Sequence, residues 1–99
     1  MPGFARWFLP ALLAAGLGLA VAQSGGQAAK YYEDALKRYE SQDVKGAIVQ
    51  LKNALQHDKS MLPVHVLLGK ALLANGDAIG AEVAFTEALR LGVNRAVGL

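Results

Sequence analysis

Asp43-Val44-Lys45-Gly46-Ala47-Ile48-Val49-Gln50-Leu51-Lys52-Asn53-Ala54-Leu55 returns later in the chain as Asp77-Ala78-Ile79-Gly80-Ala81-Glu82-Val83-Ala84-Phe85-Thr86-Glu87-Ala88-Leu89. Asp43, Gly46, Ala47, Val49, Ala54 and Leu55 meet identical residues at Asp77, Gly80, Ala81, Val83, Ala88 and Leu89. The offset is 34 residues throughout, and a period of about 34 is that of helix–turn–helix units that stack into solenoids. The expected fold is therefore all-α: an α-solenoid fragment of two helix–turn–helix units.

Each unit reads as a helix pair. The first helix of unit 1 is expected from about Gln27 to Glu40. Glu33 with Lys37 and Asp34 with Arg38 form acid-before-base pairs at i, i+4; Tyr31, Ala35 and Tyr39, flanked by Tyr32 and Leu36, make the other side. Ser41-Gln42 supplies the turn, and Asp43 is placed to cap the next helix by accepting from free backbone N–H groups. That helix, about Val44 to His57, carries Val44, Ala47, Ile48, Leu51, Ala54 and Leu55 at i, i+3, i+4, i+7 spacing, so one face is buried.

Unit 2 follows the same plan with more apolar surface. Pro63 suits the first turn of its opening helix, where the missing N–H costs nothing. Val64, Leu67, Leu68, Ala71 and Leu72 form one stripe, and Val66 and Leu73 extend it nearly round the helix. Cover on more than one side is therefore expected. Asn75-Gly76 is a strong stop, Asp77 caps the last helix, and Gly92 is expected to end it after Leu91.

Met1–Ala22 reads as an export signal: Arg6 near the amino terminus, an apolar core from Trp7 to Leu19, then Ala20-Val21-Ala22 with small residues at −3 and −1. The competing reading is an uncleaved anchor, but Trp7–Ala22 would reach only about 24 Å as a helix against a hydrocarbon core of roughly 30 Å. Ser24-Gly25-Gly26 makes residues 23–26 a linker. The divisions expected are thus 1–22 signal, 23–26 linker, 27–60 unit 1, 61–95 unit 2 and 96–99 the start of a missing third repeat or a tail.

Arg6 lies in the leader, so the formal charge of +2 leaves the rest almost neutral, without the clustered basic face of a nucleic-acid binder. The chain has no cysteine, hence no disulfide framework, thiolate nucleophile or Cys-based zinc site. His57 and His65 are its only histidines and lack a third ligand nearby; the carboxylates are accounted for as caps or solvated faces. No cofactor, metal site or enzymatic activity is expected. Lys45, Gln50, Lys52, Asn53 and Gln56 are expected on the solvated outer side of unit 1.

These residues resemble the tetratricopeptide repeat. With Leu62 as first position, His65, Leu68, Gly69 and Leu72 occupy its first-helix pattern, and Ala81, Phe85 and Ala88 its second. In unit 1, Tyr31, Asp34, Ala35 and Arg38 fit the first helix less well, while Ala47, Leu51 and Ala54 fit the second; the family's late proline is replaced by Lys59 and Val93. The resemblance implies that small residues (Ala35 or Gly69, Ala47 or Ala81) let backbones approach while Leu51 or Phe85 fills the gap. It also implies a partner groove lined by Tyr32, Leu36, Tyr39, Val66, Lys70 and Leu73, accepting a peptide or helix; the alternative is that Tyr32 and Tyr39 simply cover the end of the core. The carboxylate clamp of the chaperone-binding version is absent there.

More narrowly, Ala47–Gln56 and Ala88–Arg95 resemble the opening repeats of exported proteins that accompany exosortase (PEP-CTERM) systems, over Tyr31 to Leu99. That likeness implies a periplasmic or envelope-associated scaffold assisting exopolysaccharide or protein-sorting machinery, without the lipid-bearing cysteine of many members. The alternative is a truncated fragment with no independent binding function that self-associates, for instance as a homodimer. Membrane attachment is expected only if the leader is retained.

Overall fold

A computed structural model describes residues 26–98, and these are all-helical. The signal expected at 1–22 and most of the linker lie outside the described residues; Gly26, assigned to the linker, already belongs to the first helix. Helix α1 covers residues 26–40, α2 Val44–His57, α3 Leu62–Ala74 and α4 Ala78–Ala96. No helix among the described residues is long and apolar enough to cross a membrane.

The two hairpins are built alike, down to their turns. Leaving α3, Gly76 adopts φ +85°, its N–H donates to the Leu73 carbonyl at 3.0 Å and the Asp77 N–H to the Leu72 carbonyl at 2.8 Å. This double closure satisfies two carbonyls that the helix end leaves open. Thirty-four residues earlier Gln42 takes φ 71°, with its N–H on the Tyr39 carbonyl (3.1 Å) and the Asp43 N–H on the Arg38 carbonyl (2.8 Å). The same turn thus forms once with the preferred glycine and once with a residue that carries a Cβ. Asp43 and Asp77 then cap α2 and α4, accepting from the N–H of Gly46 at 3.0 Å and of Gly80 at 2.8 Å.

The core is made of small and medium side chains. Ala35 from α1, Ala47, Ile48, Leu51 and Ala54 from α2, Val64, Leu67, Leu68 and Ala71 from α3, and Ala84 from α4 form one buried cluster. Helix α3 packs against both α2 and α4. Alanines at these positions bring the helix axes close, and Leu51 and Val64, the largest fully buried side chains, fill the space between them. Across the α3–α4 crossing the pairing shifts in size. A Cβ on Gly69 would stand 2.5 Å from Phe85 Cε1, so that ring lies on the glycine backbone, where the first hairpin has Ala35 and Leu51.

Two expectations need correction. Helix α4 does not end at Gly92; it continues to Ala96 and stops at Gly98, which adopts φ 76°. A glycine inside a helix weakens it by about 1 kcal/mol but does not break it, and Gly92 has ordinary helical backbone while Gly98 holds the left-handed position. Leu73 is not covered by a neighbour: it remains 57% exposed among the described residues. The cover for α3 comes from α2 and α4, and Leu73 points away from both.

Candidate functional site

On the side of the first helices, α1 and α3 enclose a hollow of about 320 Å³. Tyr32 and Leu36 line it from α1, and Val66 and Lys70 from α3, with Leu62, Pro63 and Leu67 completing the wall. Tyr32 and Leu36 are adjacent because they stand one turn apart on α1; the same spacing joins Val66 to Lys70 on α3. Four of the six residues expected in the groove are therefore together. Tyr39 packs against the core cluster at the far end of α1, and Leu73 stands in solvent; neither lines the hollow. Lys70 is exposed and forms no ion pair among the described residues. An apolar wall with one free ammonium suits an apolar segment that carries an acidic group.

The other charged groups serve the fold locally. Arg38 Nε donates to Asp34 Oδ2 at 2.7 Å, and its Nη1 reaches the capping Asp43 at 3.0 Å. Gln50 Nε2 crosses from α2 to the same Asp34 oxygen at 2.7 Å. The Arg38 bond, helped by Gln50, holds the Asp34 carboxyl below the usual carboxylate range. Gln50, expected as part of a solvated face, is thus a tie between α1 and α2; Lys45, Lys52 and Gln56 are exposed as expected. The Ser60 hydroxyl and N–H lower the Asp58 carboxyl in the same way, as Arg90 lowers Glu87. Glu33 and Lys37 do not pair: both are exposed and no ion pair joins them.

The histidines have structural partners. His57, at the end of α2, stacks on Tyr31 of α1 with ring centroids 5.5 Å apart. His65 is buried on α3, with Nε2 2.8 Å from the Lys59 carbonyl. His65 also borders a mixed hollow of about 640 Å³ beside Lys52, Leu55 and Glu87. Among the described residues no three side chains of metal-ligating type come together.

A third hollow, of about 470 Å³, lies between α3 and α4 and is lined only by apolar residues: Leu62, Val66, Phe85, Ala88, Leu89, Gly92, Val93 and Ala96. It shares Leu62 and Val66 with the α1–α3 hollow. The sequence reading missed it, although adding 34 to Leu51, Ala54 and Leu55 leads to Phe85, Ala88 and Leu89.

The fold and its surfaces define an all-α protein of two repeated helical hairpins. No family model, curated protein or solved structure matches the chain.

Proposed function

We propose that this chain is a non-enzymatic interaction scaffold built of two tetratricopeptide-type units, and that it binds a protein or peptide along its first helices. The observation that carries this reading is the α1–α3 hollow, where Tyr32, Leu36 and Val66 surround one unpaired cation, Lys70. The ligand it favours is a helix or extended segment with an apolar face and an acidic side chain. The export-like leader and the resemblance to exosortase-associated repeats point to the periplasm or envelope, and to assistance of exopolysaccharide or protein-sorting machinery.

The test uses the chain as bait in envelope extract beside a Tyr32→Ala/Lys70→Ala variant. Lys70 is exposed while Tyr32 also packs on the core, so the variant is expected to stay helical by CD, with a lower unfolding midpoint, while the captured partner is lost. Capture that survives the double substitution would place the binding surface elsewhere.

A further inference from the structure

The turns inside the two hairpins are closed by their own backbone, and Asp43 and Asp77 cap the helices that follow them. The connection between the hairpins, residues 58–61, is built differently. It contains neither glycine nor proline, so nothing in its own backbone stiffens it. Met61, where α3 begins, gives no side-chain cap.

Side chains from three elements hold this connection instead. At its start, Asp58 Oδ1 accepts from the Ser60 N–H at 2.9 Å and from the Ser60 hydroxyl at 2.7 Å. From α3, His65 places Nε2 2.8 Å from the Lys59 carbonyl; a carbonyl only accepts, so this nitrogen carries the proton. From the last turn of α4, Arg95 donates through Nη2 to the Ser60 carbonyl at 2.9 Å, across 35 residues of chain. The Ser60 bonds, and after them the Arg95 charge, keep the Asp58 carboxyl below the usual carboxylate range. His65 is the polar residue buried among the described residues. Thirty-four positions before His65 and Arg95 stand Tyr31 and Met61, so this clasp is not part of the repeat.

Leu62 and Pro63 follow the clasped carbonyls directly, and both belong to the wall of the α1–α3 hollow. Helix α1 is tied within its own hairpin by the bond from Gln50 to Asp34, and α3 belongs to the other hairpin. The width of the hollow is therefore the spacing between hairpins. We propose that His65 and Arg95 are positioning residues for the partner site: by holding the Lys59 and Ser60 carbonyls they fix α3 opposite α1 and set the width of the hollow, although neither lines it. This role presupposes that the hollow is the partner site proposed above.

Pulsed electron resonance between two nitroxides on the full chain reads that spacing. The chain has no cysteine, so labels attach only where cysteines are introduced. Glu40→Cys with Ala74→Cys places them at equivalent, exposed ends of α1 and α3, and Glu40→Cys with Gln56→Cys is the control within one hairpin. His65→Leu and Arg95→Ala are each expected to turn the first distance from narrow to broad and to leave the control narrow. Each is also expected to weaken capture of the protein that the unaltered chain takes from envelope extract. His65→Gln, which can still offer an N–H to the Lys59 carbonyl, is expected to keep both readings as in the unaltered chain. The proposal is overturned by a first distance that stays narrow in both variants, or by broadening that the control pair shares. It is equally overturned if His65→Gln behaves as His65→Leu, or if capture is unchanged while the first distance broadens. Because the distances are read without a partner, capture that survives Tyr32→Ala/Lys70→Ala, which sinks the partner reading, is a separate result from loss of the clasp.

Discussion

Leu51→Ala is expected to lower stability by about 2–5 kcal/mol, the range for truncating a fully buried leucine. The Leu51 side chain is wholly inaccessible, at the centre of a cluster drawn from all four helices. Its cluster also holds Ile48, Leu67 and Leu68, with Met61 and Leu72 packed against it, so partial collapse of these longer side chains sets where in that range the loss falls. A domain this small has roughly 5–10 kcal/mol in total, so the variant should be partly unfolded even without denaturant. Urea titration followed by far-UV CD reads this as a lower midpoint with little change in slope. A loss below about 1 kcal/mol would mean that Leu51 is not at the centre of the fold.

The second large effect runs the other way in volume. Ala81→Leu is expected to cost about 1–3 kcal/mol by overpacking, because Ala81 is 2% exposed on the face of α4 that packs against α3. Leucine has the better side chain for burial and nearly the same helix propensity as alanine; only the space is missing. Val83→Leu, two residues along the same helix but exposed, serves as control and should stay within about 0.5 kcal/mol. Ala47, the equivalent of Ala81 in the first hairpin and fully buried, should respond as Ala81 does. If Ala81→Leu proved as harmless as Val83→Leu, the helices would not be in close approach there.

The helices were legible because their evidence is local. Apolar spacing marked α2 and α3, Asp43 and Asp77 marked the starts of α2 and α4, and Asn75-Gly76 marked the end of α3. Gly92 misled because glycine stops a helix only where the backbone turns left-handed, and that depends on where packing against α3 ceases to hold the chain. Gln42 went unnoticed as a left-handed residue because glutamine carries no signal for it; only its alignment with Gly76 does. The tie from Gln50 to Asp34 depends on how two helices rotate about each other, which periodicity within one helix cannot show.

The surfaces were legible in part for the same reason. Tyr32 and Leu36, like Val66 and Lys70, stand one turn apart on one helix, and their meeting across α1 and α3 follows from stacking equivalent helices. Tyr39 and Leu73 belong to the same stripes but lie a turn or two further on, where the helices no longer face each other across the hollow. The apolar hollow between α3 and α4 was missed because its residues carried separate readings, Val66 in the partner groove, Phe85 and Ala88 as packing positions and Gly92 as a helix stop, and spacing along one helix does not show which of them meet.

The account rests on one physical claim, that the two hairpins are copies whose crossings match one small residue to one large one: Ala35 with Leu51, Gly69 with Phe85. A double-mutant cycle on the second pair tests it most directly. Gly69→Ala alone should destabilise, because the new methyl meets the Phe85 ring and overpacking of about 1–3 kcal/mol outweighs a helix-propensity gain of about 1 kcal/mol. In the Phe85→Leu background, which rebuilds the pairing of the first hairpin, the same change should instead stabilise, giving a coupling of at least about 1 kcal/mol, within the range for residues in contact. Effects that add to within about 0.3 kcal/mol would show that the two side chains do not share the crossing, and would contradict the claim.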